Sequence, residues 1–145
     1  LISIFGGEIV VSTKICLTLE DAKIIAAAAE KEALLKEWPV VIAIVDEGGQ
    51  LIYLQRLDNT QFGSVEVAIK KAQSAIAFRR PTKVLEEQIN QGHLRYLGLP
   101  GAIPIEGGLP IAIEGQFLGA IGVSGVRSHQ DAQIAQAGII ALIPQ

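Results

Sequence analysis

The sequence predicts an α+β fold, an antiparallel sheet of about five strands flanked by helices, in the order β-α-β-β-α-α-β-β-α. Three observations predict it. Two pairs of short apolar, partly β-branched runs are each joined by a glycine-containing turn, stretches of helical periodicity lie around them, and prolines or glycines punctuate those stretches. At 145 residues, half of them apolar and 19% charged, the chain has the size and composition of one domain, residues 1–145, around a single core.

Residues 8–16 read as an extended first strand. Thr18-Leu19-Glu20-Asp21 then has the form of a capping box, in which the Thr18 hydroxyl accepts the Asp21 backbone N–H, so a helix begins there. Leu19, Ala22, Ile25, Ala26, Ala29, Ala33 and Leu34 recur at helical spacing, and Pro39 marks the end. Residues 40–45 and 50–56 form two strands around the acidic turn Asp46-Glu47-Gly48-Gly49. Val65, Ala68, Ile69, Ala72, Ala75 and Ile76 mark a second helix, stopped near Arg79-Arg80 because Pro81 disfavours helical geometry in the residue before it. Thr82 is placed to cap a third, shorter helix that carries Val84, Leu85 and Ile89 inward and ends at Gly92. Residues 91–108 are the longest irregular segment and the natural place for a ligand loop. Residues 109–113 and 117–123 pair around a Glu114-Gly115 turn. A second capping box, Ser128-His129-Gln130-Asp131, starts the closing helix.

The formal net charge of −3 comes from mixed acidic and basic residues with no basic stripe, which argues against nucleic acid as a partner. No apolar run approaches the roughly 20 residues of a membrane span, so a membrane is not an expected partner either. The single cysteine, Cys16, rules out an intrachain disulfide and a thiolate metal cluster and fits a reducing compartment, so the expected location is cytoplasmic. Residues 1–11 lack the basic leader of a signal peptide. With two histidines and one cysteine there is no Ser-His-Asp set, Cys-His pair or zinc cluster to assemble, and no catalytic residue is assigned.

Three segments carry a family likeness. They are Ile44-Val45-Asp46-Glu47-Gly48-Gly49 leading to Gln55-Arg56-Leu57-Asp58; Ala68-Ile69-Lys70-Lys71-Ala72 leading to Phe78-Arg79-Arg80-Pro81-Thr82; and Gly107-Gly108-Leu109-Pro110-Ile111 leading through Gly119-Ala120-Ile121-Gly122-Val123-Ser124-Gly125 to Gln130-Asp131. Together they resemble the GlcG/HbpS family of small haem-binding proteins, which also supplies the C-terminal domain of PduO-type cobalamin adenosyltransferases. The resemblance implies a profilin-like or PAS-like sheet, assembly as a homo-oligomer, and a small-molecule ligand of the haem or corrinoid class. It leaves two alternatives open: a weak haem- or corrinoid-dependent enzyme in cofactor metabolism, and a structural oligomer with no small ligand.

Candidate binding residues follow from both readings. Gly119, Gly122 and Gly125 recur every third residue along a strand running into a helix, where missing side chains admit a ligand or another backbone, and Arg127 adds charge there. Gly107 and Gly108 close the ligand loop. Lys70 lies beside the apolar stripe of the second helix, and Arg79 follows that helix where it could bind carboxylates. Among iron ligands, His93 in the loop beside Leu94, Tyr96 and Leu99 is the candidate; His129 sits at a helix start, where the dipole opposes its charged form.

Overall fold

The structure, a computed structural model, describes residues 3–4, 6–8 and 10–143. In chain order the elements are β1 (Ser3–Ile4), β2 (Gly7–Glu8), α1 (Leu19–Lys36), β3 (Val41–Asp46), β4 (Leu51–Arg56), α2 (Gly63–Phe78) and α3 (Thr82–Asn90). A 3₁₀ turn (Leu94–Gly98), β5 (Gly108–Ile113), β6 (Gln116–Ser124) and α4 (Ser128–Leu142) complete the order. The main sheet is antiparallel throughout, with the order β4-β3-β6-β5. It therefore has four strands where about five were expected. Residues 10–18 form no strand, and among the described residues β1 and β2 pair with each other in a separate two-stranded ribbon. The difference is one of burial, because Val10 and Val11 are 95% and 72% exposed and offer the sheet no apolar face.

The central pair explains the layers. Strand β3 is buried on both faces: Val40, Ile42 and Ile44 pack with Ile111, Ile121 and Val123 against α1 and α4, whereas Val41, Ala43 and Val45 face α2. Helix α2 comes close because its contact residues are small: Ala68, Ala72 and Ala75 meet Ala43, Ala120 and Gly122. A Cβ on Gly122 would collide with the Ala68 carbonyl and the Ala72 amide.

The hairpin turns follow their sequence chemistry. Asp46 Oδ1 accepts the Gly48 and Gln50 amides, each at 2.9 Å, so the acidic turn is held by its own aspartate. At the other hairpin, Glu114 (φ 50°) and Gly115 (φ 78°) give the two positive dihedrals of a tight turn matched to strand twist. Helix α1 begins with the expected box, Asp21 N donating to Thr18 Oγ1 at 3.1 Å and Thr18 N to Asp21 Oδ2 at 2.9 Å. The charge-assisted return bond also holds the Asp21 carboxyl below its ordinary pKa. The chain leaves the helix at Glu37 in left-handed geometry, two residues before Pro39. Of the expected apolar side, Leu19 and Leu34 are exposed, because the contact with α4 is narrower than the apolar stripe.

Two caps differ from expectation. Thr82 does not cap α3; it is buried, and its Oγ1 accepts the Gly108 amide at 2.9 Å, joining α3 to β5. Helix α4 starts one residue early, with Arg127 at the cap and its amide donating to Gln130 Oε1 at 3.1 Å. This frees Asp131 for the interior.

Candidate functional site

The strongest polar feature of the interior lies where α2, α4, β6 and the end of the irregular segment converge. Lys71 projects from the buried face of α2. Its Nζ donates to Asp131 Oδ2 on α4 and to the Val123 carbonyl on β6, both at 3.0 Å, and both side chains are 2% exposed. Asp131 Oδ1 accepts the Val126 amide at 3.1 Å. Burial pushes the Asp131 carboxyl above its ordinary pKa, the Lys71 ammonium pulls the other way, and Glu106 adds a further upward push.

Gly107 and Gly108 belong to this knot. A Cβ on Gly107 would stand 2.7 Å from both Lys71 Nζ and the Val123 oxygen, and one on Gly108 would strike the Lys71 carbonyl. At Gly107 the φ of 131° also lies outside what side chains readily adopt. Nearby, Ser74 Oγ accepts the Ile103 amide at 3.0 Å. The far end of the irregular segment is thus tied to α2 at Ser74, to β6 through the Val123 amide on the Gly107 carbonyl, and to α3 at Thr82. Lys71 is sealed from solvent, and the pair fastens α2 to the end of β6 and to α4 beneath the Gly107-Gly108 turn.

Sequence reasoning chose the neighbouring lysine. Lys70 is exposed and lines a shallow groove with Phe62, Glu66, Ile69 and Gln73. The signal for Lys71 was present: it stands three residues after Ala68 and four before Ala75, inside the buried stripe. Ser74 carries no sequence signal, and Thr82 reads only as a cap, because nothing local marks their partners 29 and 26 residues away.

The three spaced glycines are filled by the chain itself. A Cβ would meet the Val45 carbonyl at Gly119, the Ala68 carbonyl at Gly122 and the Pro39 carbonyl at Gly125. Arg127 is exposed beyond them at the start of α4. Arg79 sits just past α2 with its guanidinium carbon 5.4 Å from the Phe117 ring centroid.

His93 lies immediately before the 3₁₀ turn. Its ring is half-buried, and Nδ1 stands 2.6 Å from Gln88 Oε1. This contact orients the imidazole from α3, as a partner behind a ligating histidine would. Leu94 and Leu97 beside it are 63% and 62% exposed, Ile105 is 44% exposed, and Arg95 stacks over Tyr96 at 5.0 Å. His129 is exposed in the first turn of α4 and Cys16 is exposed before α1. Among the described residues no group of three or more His, Cys, Asp or Glu is placed to hold a metal, and no helix is long and apolar enough to cross a membrane.

Comparison with known proteins places this geometry. Residues 17–140 match the family model described as "Haem degrading protein HbpS-like". Protein GlcG of Escherichia coli K12 is 39% identical over 112 residues, covering 77% of this chain and 84% of that protein. The crystal structure of HbpS superposes with a TM-score of 0.83 at 31% identity over 99% of this chain and all of the other. That of a PduOC:haem complex gives 0.81 at 29% identity over 89% of this chain and 96% of the other. By sequence over most of its length and by fold over nearly all of it, the chain belongs to the HbpS-like family.

Proposed function

We propose that this protein is a one-domain binding module for haem or a related tetrapyrrole, working as a homo-oligomeric accessory protein in the cytoplasm, on a sheet of the profilin-like or PAS-like kind. The observation that carries the reading is the likeness, over 89% of the chain, to a domain solved with haem bound. The residues around His93 fit such a ligand. His93 offers the iron an imidazole nitrogen, its chain neighbours Leu94 and Leu97 offer an exposed apolar surface, and Arg95 offers a cation for a propionate. The groove of about 550 Å³ beside Trp38 fits less well, because Glu30, Glu37 and Asp58 set three carboxylates against Arg56. When bound, haem supplies an iron centre for ligand exchange and electron transfer, while the chain orients and shields it. Leu34 and Leu35, 61% and 70% exposed on α1, support a subunit contact.

Titration with hemin tests this. Saturable growth of a shifted Soret band is expected, weakened at least about tenfold by His93→Ala, the loss of one strong axial bond, and unchanged by His129→Ala. A titration with no saturable band would remove the haem reading. The family description favours one second reading, an enzyme that degrades the haem it binds. Loss of the Soret band with a supplied reductant, together with a new chromatographic product, would select it over simple binding.

A further inference from the structure

At the turn end of the sheet a depression of about 330 Å³ lies between the C-terminus of α2 and the two hairpin turns, lined by Lys14, Ile15, Glu47, Arg79, Gly115 and Phe117 among others. Its charges are unequal. Lys14 Nζ and Glu47 Oε2 pair at 2.8 Å, whereas among the described residues Arg79 forms no salt bridge. The Arg79 guanidinium carbon stands 5.4 Å from the Phe117 ring centroid, so the cation lies over an aromatic ring while its N–H groups have no carboxylate partner among the described residues. A Cβ on Gly115 would meet nothing within 4 Å, so the turn leaves the mouth open.

Arg79 also occupies a costly backbone position. Its φ of 53° and ψ of 44° are left-handed, and its amide donates to the Ala75 and Ile76 carbonyls as the residue closing α2. Glycine would serve that closure without strain. Glu37 closes α1 in the same geometry, so what sets Arg79 apart is its place over Phe117 without a carboxylate partner among the described residues.

We propose that this depression is a binding site for a small organic carboxylate with a flat or apolar body. The carboxylate lies on the Arg79 fork with Lys14 as the second cation, and the body lies against Phe117 and Ile15. This site goes beyond the tetrapyrrole reading and does not rest on it, since none of the residues around His93 lines the depression.

The test is titration of the full chain with benzoate, followed by calorimetry and amide chemical shifts. Saturable binding is expected, with shifts at residues 47, 79 and 115–117. Benzyl alcohol and sulfate should each bind at least about tenfold more weakly, one lacking the charge and the other the flat body. Arg79→Gln should weaken benzoate at least about tenfold, and Arg95→Gln, at the other stacked arginine, should not. Arg79→Gly keeps the proposal falsifiable if Arg79→Gln folds poorly, because it suits the backbone while removing the fork. Failure to saturate, equal binding of sulfate, or undiminished binding in Arg79→Gly would overturn it. A failed hemin titration would leave all of these outcomes as informative as before.

Discussion

Lys71 and Asp131 show how one residue pair sets demands on its surroundings. Two charges withdrawn from water are tolerable only while each has the other and its hydrogen bonds, as here with Val123 and Val126. Removing one partner strands the other. Lys71→Ala is therefore expected to cost about 3–5 kcal/mol in denaturant unfolding, whereas Lys71→Met with Asp131→Leu should recover most of that loss. The raised Asp131 carboxyl makes a second expectation at this scale. Unfolded, it titrates near the ordinary 3.8; folded, it titrates higher, mainly through burial. In the interval between those values the folded chain holds a proton that the unfolded chain has lost. The contribution to stability is full below 3.8 and is lost as pH rises through the folded value. Stability measured across this range should fall for the native chain relative to Asp131→Asn, which has no such proton; parallel profiles would contradict the assignment.

At the scale of elements, glycine geometry separates packing from strain. Gly122→Ala drives a methyl into the Ala68 carbonyl of α2 and should cost at least about 2 kcal/mol, since neither strand nor helix can move without breaking its own bonds. Glu37→Gly should do the reverse. Glu37 ends α1 at φ 57° with its side chain exposed, so glycine there is expected to stabilise by about 1 kcal/mol, read as a raised melting temperature. Elements of this kind were legible in the sequence where the signal was local. The Thr18 box, the Asp46 turn, the Glu114-Gly115 turn and the stop before Pro81 each depend on neighbours within a few residues. Thr82 was read as a cap because its hydroxyl precedes a helix, and nothing nearby reveals that it turns to Gly108 instead. The expected first strand failed for the complementary reason: residues 10–16 have strand-forming types but no face to bury.

For the whole molecule, period and punctuation predict the order of elements, and the family likeness supports the proposed class of ligand. The interior knot needed coordinates, since Lys71 and Asp131 are 60 residues apart and adjacent lysines look alike until the stripe around them is resolved. The same distance in sequence governs the central sheet. Strand β3 is buried on both faces, yet its inner neighbour is β6, which begins only at Gln116. During synthesis the ribosome therefore releases the run Val41-Ile42-Ala43-Ile44-Val45 long before the strand that covers its second edge exists. A nascent chain halted before residue 116 would leave that edge unpaired and open to aggregation, an exposure that ends once β6 has docked.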